Sequence, residues 1–74
     1  MNKVKLGEIN KTNRKLIASI KEYHGRTYLD LREHFYSAEK DAWLPTKKGI
    51  TITNPQAASK MVELLQKGIS TLRW

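Results

Sequence analysis

Between Ile20 and Tyr36 the chain reads IKEYHGRTYLDLREHFY, and no other stretch limits its fold so closely. Side chains along a strand alternate between two faces. Leu29 and Leu31 then share one face, while Arg26, Tyr28, Asp30, Arg32 and His34 share the other. Gly25 tolerates positive φ, so His24–Gly25 is expected to be a tight hairpin turn. In the strand before it, Leu16, Ala18 and Ile20 form an aliphatic face, opposed by Lys15, Ile17, Ser19, Lys21 and Tyr23. Two paired strands of this kind give a sheet with one aliphatic face and one array of cations and rings. Cations meet phosphates and rings meet bases, so such a face suits a single nucleic-acid strand. Phe35 has the parity of Leu29 and Leu31; a bulge or twist near His34 is needed to bring it to the cationic face.

The flanking segments supply the remaining elements. Residues 1–13, MNKVKLGEINKTN, carry scattered Val4, Leu6 and Ile9. They are expected to be a solvated tail, with a short strand or a basic arm as the alternatives. Ala42–Leu44 suggests a short third strand stopped by Pro45. Thr46–Gly49 suggests a basic turn, and Ile50–Thr53, which alternates, a fourth strand. Asn54 can cap a helix and Pro55 suits its first position. The helix is expected to run to about Leu72, with Ala58, Met61, Val62, Leu65, Ile69 and Leu72 in one apolar stripe. Leu64 and Gly68 widen the stripe beyond what one small sheet covers. A partner helix is therefore expected, with Met61, Leu64, Leu65 and Gly68 at the contact and Trp74 as a cap on the dimer or disordered.

Length and composition narrow the classes. Seventy-four residues make one small domain, and a chain of that size buries only about 60% of the surface it exposes when unfolded. With no cysteine there is no disulfide, and oligomerisation is the remaining way to stabilise the fold. No stretch approaches a membrane span, and the N-terminus lacks the apolar middle of a signal peptide. A cytoplasmic protein is expected. The net charge of +7 raises the odds of a polyanionic partner.

KEYHGRTYLDLREHFY, followed by LPTKKGITITNPQ, resembles the single-stranded DNA-binding domain of the transcriptional positive cofactor four family. The motif pieces are Tyr23 and Gly25, then Leu29-Asp30-Leu31-Arg32-Glu33, then Pro45, then Lys47-Lys48-Gly49-Ile50, then Asn54-Pro55. The likeness covers about residues 14–72. It implies an α+β fold, a four-stranded antiparallel curved sheet followed by one C-terminal helix. It also implies a homodimer held mainly through the helices, and binding of single-stranded DNA or locally melted duplex across the sheets. The family's contact positions fall on Lys21, Tyr23, His24, Arg26, Arg32, Phe35, Lys47, Lys48 and Gly49. His24 stands where a lysine is familiar, and Phe35 where a tryptophan is. The acidic, serine-rich regulatory segment of eukaryotic members is absent from this sequence, which fits a short bacterial or phage-like branch, nucleoid-associated if bacterial.

The division is then residues 1–13 as arm or short strand and 14–74 as the nucleic-acid-binding domain. Tyr28 joins the candidate contacts by its face alone, and Trp43 is expected in the core or an interface. Arg32 beside Asp30 has a surface ion pair as its plainer reading, and the motif match favours phosphate binding over it. His24, Glu33 and His34 do not form a catalytic set, because strand neighbours point to opposite faces. No nucleophile elbow, phosphate loop or metal-ligand spacing is present. No enzyme activity, cofactor, metal or small-molecule substrate is expected. The alternatives to a single-stranded DNA binder are an RNA binder or RNA chaperone using the same face, and a protein-interaction module working through the helix.

Overall fold

The computed structural model describes residues 3–73; Trp74, assigned to the dimer above, lies outside them. Four strands and one helix follow in order: β1 (Lys3–Lys11), β2 (Arg14–Tyr23), β3 (Arg26–Ser37), β4 (Ala42–Ile52) and α1 (Pro55–Thr71). The strands form one antiparallel meander in sequence order, with β1 and β4 at the edges. The α+β fold of four antiparallel strands and a C-terminal helix is thus the observed one, although two of its strands differ from those expected.

The first difference is at the N-terminus. Residues expected as a tail pair along β2 from Lys3↔Lys21 to Lys11↔Arg14, with a register shift between Lys5 and Gly7. Val4 and Ile9 fall beside Ile20 and Leu16 and extend the aliphatic face. The second is in β4. The two short strands expected at 42–44 and 50–53 are one, interrupted where Arg32 pairs Gly49 and His34 pairs Pro45. Glu33 alone therefore faces Thr46, Lys47 and Lys48, which form a bulge. Thr46 closes it: its Oγ1 donates to the Glu33 carbonyl at 2.9 Å and accepts from the Lys48 N–H at 3.1 Å. Pro45 does not end the strand, because an edge strand can spare an N–H.

The β2–β3 ladder is unbroken from Arg14↔Phe35 to Tyr23↔Arg26. Its turn has positive φ at both His24 (52°) and Gly25 (78°), the requirement of a two-residue turn that follows the right-handed twist of the strands. Gly49 has a different reason. A Cβ there would lie 2.6 Å from the Leu31 carbonyl oxygen and 2.8 Å from the Arg32 Cα, so only glycine lets β4 close onto β3 beside the bulge.

Asn54 caps α1, its Oδ1 accepting from the Gln56 and Ala57 N–H groups at 2.8 and 3.3 Å. The helix meets its own sheet near its start, where Pro55 and Ala58 border a hollow lined by Ile20, Leu29 and Ile52. Beyond that point Val62, Leu64, Leu65, Ile69 and Leu72 are each more than half exposed. Among the described residues no apolar side chain is fully buried. The buried ones are Ser19, Asp30 and His34, at 2%, 3% and 7% exposure, and all three lie on the polar face.

Candidate nucleic-acid interface

The register defines the polar face. Ser19 pairs Asp30, Lys21 pairs Tyr28, Ile17 pairs Arg32 and Lys15 pairs His34; Thr51 lies beside Asp30 on β4. At its centre Asp30 is a carboxylate with four donors. The Lys21 Nζ lies 3.2 Å from Oδ2 and the Arg32 Nη2 3.1 Å from Oδ1. The Arg32 Nε donates to both oxygens at 3.3 Å, and the Thr51 hydroxyl to Oδ1 at 3.4 Å. Burial alone would push this carboxyl up; hydrogen bonds from Arg32 and then Lys21 outweigh it and hold the group below its ordinary range. Arg32 also donates through Nη1 to the Thr46 carbonyl at 3.1 Å, so one guanidinium ties the centre of the sheet to the β4 bulge.

This network sorts the candidate cations. Lys21 and Arg32 are held by Asp30 and present their remaining N–H groups from fixed positions. Arg26, Lys47 and Lys48 head no ion pair among the described residues and are exposed. Arg26 and Lys47 can meet a phosphate without breaking an ion pair, while the charge of Lys48 also acts on the Glu33 carboxylate. Gly49, among the contact positions that the resemblance implies, is already required by the β3–β4 approach.

At the hairpin, Tyr23 is 67% exposed and its ring meets that of His24 edge-on, with centroids 4.0 Å apart. Tyr28 is half-buried on the same face. Phe35 is not there. The interruption expected near His34 falls in β4, not in β3, so Phe35 keeps the parity of Leu29 and Leu31. Arg14 caps its ring at 5.9 Å. The same corner of the aliphatic face holds the Glu33 carboxylate, 3.1 Å from the Lys11 Nζ and 3.8 Å from the Arg14 Nε.

Two rings at the far end of the polar face were not among the candidates. Tyr36 pairs Trp43 across β3 and β4, and their rings meet edge-to-face at 5.5 Å. The Lys15 Nζ stands 4.7 Å from the centre of the Trp43 ring. Tyr36 has the same strand parity as Asp30 and His34, a signal already present in the sequence. Trp43 joins it only through the β4 register.

An open antiparallel sheet with cations and rings on one face, followed by a single helix, places the chain in the class of small nucleic-acid-binding sheet domains. A family model described as Transcriptional Coactivator p15 (PC4) matches residues 9–59, more than half of the chain. The chain belongs to that family, whose domain is a single-stranded DNA-binding module of the transcriptional coactivator type. A search of curated proteins and a search of solved structures return no match.

Proposed function

We propose that this protein is a non-catalytic, dimeric binder of single-stranded DNA, acting in the cytoplasm wherever transcription, replication or repair opens a duplex. The strand would lie on the polar face of the sheet. Arg26, Lys47 and Lys48 would meet phosphates, Tyr23 would stack on a base, and Lys21 and Arg32 would add donors from positions fixed by Asp30. The observation that carries this is the division of labour among the cations. Lys21 and Arg32 are fixed on a buried carboxylate. Arg26, beside the exposed Tyr23 ring, and Lys47, on the β4 bulge, are exposed and head no ion pair among the described residues. Bases in a duplex are stacked and hidden, so a ring on a sheet reaches them only in a single strand or a bubble.

The dimer rests on a separate observation. The apolar stripe of α1 lies mostly outside its own sheet, and a domain of this size with no buried apolar side chain among the described residues has too little core to fold alone. Gly68 has nothing within 4 Å of where its Cβ would stand, which leaves room for a second backbone. Helix against helix in a two-fold dimer would cover Met61, Leu64, Leu65 and Gly68.

Competition in fluorescence anisotropy tests the reading, using single-stranded DNA, its duplex and RNA of one sequence. Tighter binding to the single strand than to the duplex is expected, with little dependence on sequence. Equal affinity for single strand and duplex would leave charge alone and contradict the stacking. RNA binding as tight as DNA binding would favour the RNA reading, because stacking and phosphate contacts are common to both polymers.

A further inference from the structure

We infer that Tyr36 and Trp43 form a second base-stacking subsite, which takes an unpaired nucleobase of the same single strand at the end of the polar face remote from the Tyr23 hairpin. The inference rests on the reading of that face as the single-strand surface and extends it.

Three observations carry it. The first is continuity. Tyr36, His34, Arg32, Asp30 and Tyr28 alternate along β3 on one face, and Trp43 and Thr51 fall beside Tyr36 and Asp30 on β4. A strand laid along β3 from the hairpin reaches these rings after crossing the Lys21–Asp30–Arg32 centre. At about 3.3 Å per residue, the eight steps from Tyr28 to Tyr36 span roughly 26 Å. That length suits several nucleotides, within the range of about 4–16 that a single-strand-binding sheet covers.

The second is accessibility. Tyr36 is 45% exposed and Trp43 half-buried, and the two rings meet edge-to-face. An edge-to-face contact covers one face of one ring only, so the pair does not use up the remaining faces. The Tyr36 hydroxyl donates to the Asp41 carboxylate, which fixes the ring from the turn between β3 and β4. Asp41 itself takes positive φ at 50° to make that turn. The aromatic pair is therefore held before any ligand arrives.

The third is charge. Lys15 lies over the Trp43 ring and also 3.2 Å from Glu8, so a cation stands at the ring face where a nucleotide's phosphate would pass. A base sliding onto Trp43 displaces the ammonium from the ring. The displaced ammonium remains within reach of the phosphate attached to that base. Two residues before Tyr36 on the same face, the buried His34 donates from Nδ1 to the Arg32 carbonyl at 3.1 Å.

Trp43 emission reads the subsite directly. The only other tryptophan is Trp74, so the titration is done in a Trp74→Phe background. Oligothymidine of roughly 12 nucleotides serves as the ligand. Trp43 emission should be quenched on binding. Trp43→Leu, which keeps an apolar side chain in the strand, should lower affinity about 5- to 150-fold, the range a base–aromatic stack covers. Trp43→Phe should recover most of that loss. Tyr23→Ala is run alongside, with circular dichroism and sedimentation on every variant. If Tyr23→Ala weakens binding but Trp43→Leu does not, and Trp43 emission is unmoved, the second subsite is overturned and the face stands. If the single strand does not bind at all, both readings fall. If Trp43→Leu changes the oligomeric mass, the rings belong to a contact between copies and the subsite is overturned.

Discussion

Asp30 carries the strongest chemical constraint in the chain. It is a buried carboxylate on the face proposed to meet phosphates, and it is tolerable there because Lys21 and Arg32 neutralise it. Its folded-state pKa is lowered. The stabilisation is therefore complete above the ordinary carboxylate value of about 3.9 and is lost as pH falls through the lower folded value. Asp30→Asn keeps the shape and removes the charge. It should cost about 1.5–3 kcal/mol at neutral pH, the range for hydrogen bonds to a charged group. It should also flatten the acid limb of the stability curve. Glu8 and Glu33, held low mainly by hydrogen bonds from Lys5 and Lys11 respectively, leave some slope. Thermal melts of both proteins between about pH 2 and 6 check this; an unchanged acid limb in the variant contradicts it. Gly49 poses a second question at this scale. With backbone 2.6 Å from its absent Cβ, Gly49→Ala should destabilise by about 1–3 kcal/mol through overpacking. A urea midpoint equal to that of wild type would mean that β3 and β4 can part there without cost.

Among the elements, α1 makes the sharpest prediction. Leu65 is two-thirds exposed within one chain, so a charge there costs little unless another surface covers it. Leu65→Asp should then give monomers or unfolded chains, because a dimer would bury an unpaired carboxylate. Sedimentation at micromolar concentration decides: a variant with the mass and melting temperature of wild type contradicts the helix contact. The elements also show where the sequence was legible. β2, β3 and α1 announce themselves, because their own alternation, turn and cap are local. β1 does not: its apolar residues are sparse, and its pairing with β2 makes it a strand. β4 read as two strands because Pro45 and the Thr46–Lys48 bulge look like a stop and a turn until β3 is beside them. The same logic covers the site. Lys21, Tyr23, Arg26, Tyr28 and Arg32 share a face by parity alone. Trp43 joins them through a register that no local pattern states, and Phe35 stays on the other face because the break in register falls on the neighbouring strand.

Over the whole molecule, the net charge of +7 is unevenly committed. Lys5, Lys11, Arg14, Lys15, Lys21 and Arg32 are engaged with Glu8, Glu33 and Asp30, while Lys47 and Lys48 stand out on the bulge. Charge and stacking should therefore separate in one experiment: salt titration of oligothymidine binding by wild type, the Lys47→Ala/Lys48→Ala double variant and Tyr23→Ala, with circular dichroism to confirm folding. For a single strand, log affinity changes with log salt by about 0.7 per phosphate neutralised, so the lysine pair should reduce the slope by about 1.4. Tyr23→Ala removes no charge and should keep the wild-type slope, while its affinity drops by about 1–3 kcal/mol. A double-lysine variant with the wild-type slope, or a folded Tyr23→Ala protein that binds as tightly as wild type, would contradict the assignment of the polar face as the single-strand surface.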